Sequence, residues 1–360
     1  MGFESVRFLN FRNLLDRELS LGAREVFLIG ENGQGKTNML ESLYLLSVAA
    51  SFRESREAAF FRDAASPLGL SCRYRDEVGG ERTFSLSVDA ERKKRILVNG
   101  KEVPRSDLLG QVLSICFVQQ DMLLVSGSPE ERRRFLDQTL VLSDPAYFEA
   151  LRGYRRVLRA RNFVLKQGQD GLLDAYDAQL VPFGKELTRT RMELVTRLRS
   201  FFSALFRDIT ATDQGVDIRY SPSWRLDDDG FDAEEKLRRQ RDRDLAFGTT
   251  TSGPHRDVVS VIFEGREYSS YASTGQVRLC ALVMRAAQAR YLAERTEKKP
   301  ILLLDDVLLE LDQGRKRAFI DCFPPFEQAF FTFLPDENYL PYRHEDTLLL
   351  TVENGAFRPW

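Results

Sequence analysis

Gly30-Glu31-Asn32-Gly33-Gln34-Gly35-Lys36-Thr37 follows directly on the apolar run Val26-Phe27-Leu28-Ile29. The octet fits the Walker A pattern G-x-x-x-x-G-K-[ST], at the strand-to-helix junction where that pattern acts. Gly30, Gly33 and Gly35 permit a turn tight enough for several backbone N–H groups to converge on phosphate oxygens. Lys36 adds a point charge for the β- and γ-phosphates, and Thr37 offers a hydroxyl to Mg²⁺. Met39, Leu40, Leu43 and Leu46 recur at helical spacing. A helix from Asn38 to about Ser47 therefore brings its positive dipole end to the same anion. Glu31, Asn32, Gln34 and Asn38 complete the loop expected around a nucleoside triphosphate.

Ile301-Leu302-Leu303-Leu304-Asp305-Asp306 is a Walker B pattern, a buried strand ending in carboxylates. Asp305 is expected to hold Mg²⁺ and Asp306 to polarise the attacking water. Upstream, Ser273-Thr274-Gly275-Gln276 opens an amphipathic helix leading into that strand. Taken singly, Ser273 also reads as an ordinary N-cap. The order of the two motifs is that of ABC-type ATPases. Both Walker motifs must meet at one site, although residues 38–300 separate them, so the intervening chain leaves the head and returns.

A chain of 360 residues suggests two lobes, and its 43% hydrophobic content is ordinary globular composition. No apolar stretch reaches membrane-spanning length, and Cys72, Cys116, Cys280 and Cys322 lie far apart. They read as reduced core residues of a cytoplasmic protein without membrane contact. A net charge of −2 leaves any nucleic-acid contact to a local basic surface. Strands are expected at 3–9, 15–21, 68–74, 83–88, 95–98 and 113–118, with Asn99-Gly100 as a hairpin signal.

Residues 130 to about 210 are helical in pattern. Two apolar stripes joined at Gly168–Gly171 predict an antiparallel pair, a short coiled-coil arm, with Pro182 and Gly184 kinking the second helix or delaying its start. Asp227–Asp229 read as a solvated loop, and Asp232 with Glu235 as a capping box. Strands follow at 258–263, 301–304, 328–333 and 347–352. The expected division is a head part at 1–128, a helical lobe at 129–247 and a second head part at 248–360.

With these motifs in place the chain resembles, over essentially its full length, the RecF family of bacterial recombination mediators, cousins of the Rad50 and SMC heads. The anchors are Asn10-Phe11-Arg12-Asn13, Gly30–Asn38, and Gly127-Ser128-Pro129 running into Arg132-Arg133-Arg134-Phe135-Leu136-Asp137. They continue with Tyr154, Leu158 and Arg161-Asn162, then Gly253-Pro254-His255-Arg256-Asp257, Ser273–Gln276, and Leu304-Asp305-Asp306-Val307 with Glu310-Leu311-Asp312. Generic ATPase chemistry requires neither the Gly-Pro-His-Arg-Asp string nor the Gly-Ser-Pro stretch.

The resemblance implies an α/β ABC-type ATPase head with an inserted helical lobe, forming a homodimer around ATP. It implies weak DNA-stimulated hydrolysis, binding to double-stranded, gapped or junction DNA, and work with RecR and RecO. It carries Arg12 and Asn13 to the nucleotide, Ser273, Gly275 and Gln276 to the γ-phosphate of the opposite subunit's ATP, and Gln120 to a Q-loop role sensing Mg²⁺ and water. The family usually has Pro-Glu where this chain has Gln119-Gln120, and Ser where it has Leu309. Its switch segment reads Thr332-Phe333-Leu334-Pro335. Arg132–Arg134 and Arg152, Arg155, Arg156, Arg159 and Arg161 read either as DNA contacts or as a solvated face. The alternative is an SMC- or Rad50-like scaffold that binds nucleotide without significant turnover. The arm is too short for an SMC protein, the Walker spacing is too long for a transporter subunit, and residues after 312 are too few for a nuclease domain.

Overall fold

The computed structural model describes residues 2–360 except 54–55, 77–78, 213–214, 227–229 and 310. The acidic loop 227–229 and Glu310 lie outside the described residues. The chain forms two compact units, residues 1–121 with 292–360, and residues 122–291.

The first unit contains two six-stranded sheets. In one, β3 (Glu25–Ile29), β8 (Ser114–Phe117), β12 (Ile301–Leu304), β13 (Gln328–Phe333) and β14 (Thr347–Glu353) are parallel, and β15 (Ala356–Pro359) turns back antiparallel on β14. The order is β15-β14-β3-β13-β12-β8. Every residue of β3, β8, β12 and β13 is buried, which explains their unbroken apolar runs. Glu25, Ser114, Gln328 and Thr332 are the buried polar members, and Gln328 is the most heavily bonded by main chain. It is fully buried because its amide accepts from Phe3 N–H and donates to the carbonyls of Phe3, Leu21 and Ala23.

The other sheet is antiparallel, in the order β2-β1-β4-β5-β6-β7. It comprises β1 (Gly2–Leu9), β2 (Glu18–Ser20), β4 (Leu68–Arg75), β5 (Glu81–Val88), β6 (Lys94–Val98) and β7 (Lys101–Glu102). β4 alternates between buried and more exposed positions, so one face meets the core. Asn99 and Gly100, both at positive φ, make the two-residue turn between β6 and β7. The expected strand 15–21 shrinks to β2. Asp16 instead accepts the Asn10 N–H and pairs with Arg62, holding the preceding residues as a loop. Helices α1 (Lys36–Val48), α2 (Arg105–Leu108) and α10 (Gln313–Asp321) complete the described α-helices contained in this unit.

In the second unit, α3 (Leu123–Ser126) leads to α4 (Pro129–Ser143) and α5 (Pro145–Lys166). Ser128 and Asp144 cap the last two, each followed by proline at the first helical position. α5 pairs with α6 (Leu173–Thr210), and the turn between them contains Gly168 at φ +66°. α6 starts before Pro182 and continues through it, so the proline does not set the start. Its neighbour Gly184 is a packing notch: a Cβ there would come within 2.2 Å of the Trp224 ring, which is fully buried. Gly153 on α5 similarly admits the ring of Phe183.

α6 also supports a three-stranded sheet of β9 (Asp217–Ser221), β10 (Val258–Phe263) and β11 (Arg266–Glu267), together with α7 (Ala233–Arg239). The charged segment after Asp232 forms two short helices, α7 and α8 (Arg241–Phe247). Asp232 caps α7, while Glu235 turns to Arg238 and Arg239 instead of closing a box. Residues 248–291, which sequence order groups with the nucleotide-binding half, belong by contact to this unit. β10 pairs with β9 over Val258–Ile262, and α9 (Thr274–Thr296) begins here.

Two of the arginines read from sequence as either DNA contacts or a solvated face are buried, which excludes both readings. Arg132, 4% exposed, donates to the carbonyls of Val125 and Gly127. Arg161, fully buried, pairs through Nε with Asp177 at 2.6 Å and through Nη1 with Asp244 at 2.7 Å, and it also bonds Thr250. A cation surrounded by its own counter-ions has no surface to offer a phosphate.

Candidate nucleotide site

The parallel register decides what meets at the carboxyl edge of the sheet. Leu304 lies level with Phe117 on one side and Phe331 on the other, and Phe333 lies level with Ile29. The loops after β3, β8, β12 and β13 therefore emerge together, where open α/β sheets bind ligands. Those loops carry Gly30–Thr37, Gln119-Gln120, Asp305-Asp306 and Leu334-Pro335.

The phosphate loop is shaped by its glycines. A Cβ on Gly30 would lie 2.3 Å from the Val352 carbonyl oxygen, and Gly33 and Gly35 take φ of +78° and +121°. No side chain caps the N-terminus of α1, so its first-turn donors are available to an anion. Lys36, 4% exposed, folds its ammonium onto the carbonyls of Gly30 and Glu31 at 2.5 and 3.1 Å. Glu31 and Asn32 are exposed, and Gln34 and Asn38 are half-buried. Asn13 donates to the Gly33 carbonyl and accepts from Asn38, tying the segment after β1 to the loop.

Thr37 Oγ1 donates to Asp305 Oδ1 at 2.9 Å, joining the two Walker motifs. Burial, then the neighbouring Asp306 charge, raises the Asp305 carboxyl to about 6. A hydroxyl and a carboxylate in contact fit Mg²⁺, which takes few protein ligands and completes its shell from phosphates and water. Gln120, exposed on the turn after β8, belongs to the same edge. Asp306 sits in the left-handed region at φ +52°. Its N–H donates to Thr332 Oγ1 at 2.8 Å, and that hydroxyl donates to Asp306 Oδ1 at 2.9 Å. One threonine thus fixes both the backbone and the carboxylate.

Arg12 is engaged elsewhere, forming a bidentate pair with Glu41 at 2.9 and 3.0 Å. Glu41 is fully buried on α1 and also receives Arg53 and Ser51. Burial alone would raise its pKa, but Arg53 and Arg12 hold it below the usual carboxylate value. Sequence reading missed Glu41, Arg53 and the brace at 354–355. There the Asn354 and Gly355 N–H groups donate to Gln34 Oε1 and the Gln34 carbonyl at 2.7 and 2.9 Å. Asn354-Gly355 was a legible hairpin signal for β15. Nothing in the pattern of α1 marks Glu41.

In the second unit, Ser273, Thr274, Gly275 and Gln276 are all exposed. Ser273 N–H donates to Gln276 Oε1 at 2.8 Å, and Gln276 N–H donates to Ser273 Oγ at 3.3 Å, a reciprocal capping box. A Cβ on Gly275 would meet nothing within 4 Å. The local fold does not require that glycine.

Gly253–Asp257 also lies wholly in this unit. Asp257 is fully buried, where Oδ2 takes Arg191 and Tyr220 and Oδ1 takes the Ser223 N–H. His255 Nε2 lies 2.9 Å from the Thr250 carbonyl and so carries the proton, which leaves Nδ1 to accept from Tyr154 at 2.7 Å. Burial, with Arg256 and Arg133 adding repulsion against the nearby Asp244 charge, lowers the His255 pKa to about 4. A group depressed on folding stabilises above its unfolded value and loses that contribution as pH falls. Stability of the second unit is therefore expected to drop by at most about 3 kcal/mol between pH 6.5 and 4, a loss that His255→Asn abolishes in urea titrations. An unchanged pH profile in that variant would assign the loss to other groups.

These features define the head of an ABC-type P-loop ATPase. The family model described as "RecF/RecN/SMC N terminal domain" matches residues 3–331. The chain is 38% identical to the DNA replication and repair protein RecF of Treponema pallidum, over 97% of this chain and 98% of that protein. It is 33% identical to the protein of the same name from Leptospira interrogans, over 90% and 89%. A solved structure titled as the recombination mediator protein RecF with ATP in the RecFOR pathway superposes with a TM-score of 0.91 at 26% identity, covering 100% of this chain and 97% of that one. An SMC head, at 14% identity and a TM-score of 0.58, shares the fold. The chain belongs to the RecF family of DNA replication and repair proteins. Among the described residues no helix is long and apolar enough to cross a membrane.

Proposed function

We propose that this protein is an ATP-dependent DNA-binding factor of recombinational repair and replication restart. ATP joins two copies, slow DNA-stimulated hydrolysis releases them, and RecR and RecO are the partners in loading recombinase. The observation that carries the reading is the Thr37–Asp305 bond, which brings the two Walker motifs to one point. The names of its relatives, and the pathway named for the ATP-bound structure, support the DNA and partner assignments.

In this reading Lys36 leaves the carbonyls of Gly30 and Glu31 for the β/γ-phosphates. Thr37, Asp305 and Gln120 hold Mg²⁺, which when bound neutralises charge on the phosphates. Asp306 accepts a proton from the attacking water, and Arg12 acts through Glu41 to position α1. One copy supplies the phosphate loop, while Ser273, Gly275 and Gln276 of the other reach the γ-phosphate. The exposed arginines Arg152, Arg156 and Arg159 on α5 offer DNA a basic face.

Sedimentation with ATP, ADP and no nucleotide tests the switch. Dimers are expected with ATP alone. They should be lost in Ser273→Arg, whose monomer still binds nucleotide. Gly275→Ala should leave monomer stability unchanged or slightly raised, as its open surroundings require, while weakening the ATP dimer roughly tenfold. A dimer independent of nucleotide would refute the proposal.

A further inference from the structure

The Gly-Pro-His-Arg-Asp string takes no part in the nucleotide site, yet the second unit invests heavily in holding it. Arg191, 2% exposed, clamps the Pro254 carbonyl and the Asp257 carboxylate with Nη1, and Asp137 with its other nitrogens. Gly253, at φ +129°, lets the chain approach the Tyr154 hydroxyl, which a Cβ would meet at 2.5 Å. This scaffold forms one wall of a cleft of about 570 Å³, and α4, α5 and α6 contribute the others.

Arg133, Arg134, Arg155 and Arg256 line the cleft, whereas its acids are Glu130 and Asp137. Asp137 is already shared between Arg191 and Arg155. Arg134 leans toward Glu131 at 3.7 Å. Arg133 and Arg256 have no carboxylate within ion-pair distance among the described residues. Arg133 donates to the Asp257 carbonyl, and Arg256 makes long bonds to the Thr250 carbonyl. Burial and the Arg191 charge push the Arg133 pKa down against the opposing charges of Asp257, Glu130 and Asp137. His255 stays neutral near pH 7, so the positive charge of the cleft comes from its arginines.

Planar guanidinium forks facing one cavity suit phosphate, whose oxygens they bind two at a time. The cavity is far larger than phosphate alone and lies within the range of small-ligand sites. Leu151, Leu158 and Leu187 give it an apolar wall for a sugar or base. We propose that this cleft binds a phosphate group carried by a nucleoside, either in a DNA strand or in a free nucleotide, with Arg133 and Arg256 as its ligands. The site is independent of the Walker loop, and only its DNA source rests on the function proposed above.

Arginine modification by phenylglyoxal, read by mass spectrometry at Arg133 and Arg256, tests it on the full chain. A short single-stranded oligonucleotide and AMP form separate arms. One of them is expected to slow labelling at both residues at least about fivefold, and the arm that does so names the source. Arg256→Ala, which removes an exposed side chain held only by long bonds to the Thr250 carbonyl, should weaken that ligand about tenfold. For a strand it should also reduce the salt slope by about 0.7, one phosphate contact. Fluorescent ATP binding at the Walker loop and the melting temperature should match wild type. If the oligonucleotide fails and AMP protects, the DNA-binding reading loses this surface while the cleft assignment stands. Labelling unaffected by both ligands, or unchanged affinity in Arg256→Ala, would overturn the proposal.

Discussion

Asp306→Asn is expected to lower the ATP hydrolysis rate by about 10²–10⁴-fold while leaving ATP affinity within a few-fold of wild type. Asparagine keeps the volume and an oxygen to accept the Thr332 hydroxyl hydrogen, so the turn after β12 should persist. What disappears is the capacity to take a proton from water. The left-handed backbone at Asp306 costs free energy that Thr332 offsets by bonding both its N–H and its carboxylate. Phosphate release under saturating ATP, alongside fluorescent-nucleotide titration, separates chemistry from binding. Equal turnover in the two proteins would move water activation to another residue.

Arg161→Met is expected to destabilise the second unit by about 3–5 kcal/mol, because it leaves a buried carboxylate without its cation. Asp244 is fully buried and, among the described residues, would keep only Thr251 as a hydrogen-bond partner of its carboxylate, whereas Asp177 retains Arg241 at 3.3 Å. Trp224, fully buried in the same unit, reports the transition by fluorescence during urea unfolding. The double change Arg161→Met with Asp244→Leu should recover much of the loss, since removing both charges abolishes the uncompensated one. A shift below about 1 kcal/mol in the single variant would show that the cluster relaxes around the missing guanidinium.

Legibility followed the range of the interactions involved. The phosphate loop, its strand and its helix were readable because contiguous residues encode them, and β3 and α1 fall within two residues of their expected bounds. Walker B was readable because a buried parallel strand must be continuously apolar. Long-range contacts were not. Nothing in the heptapeptide around Arg161 distinguishes a solvated arginine from one enclosed by Asp177 and Asp244. Nor does any periodicity announce that Gln328 serves four main-chain groups 305 or more residues away. The helix start at Ser273 fits both an N-cap and a signature. In the free chain it performs the first role fully, which the sequence could not separate from the second.

The brace at residues 354–355 carries a consequence for how the protein is made. Gln34 is fastened by a hairpin that the ribosome synthesises more than three hundred residues later, and β12, which Asp305 directly follows, and β13, which carries Thr332, also arrive late. A nascent chain bearing the complete Walker loop therefore cannot yet present a finished pocket. If ATP joins two copies as proposed, a pocket finished only after translation passes Gly355 would keep incomplete copies from pairing with mature ones.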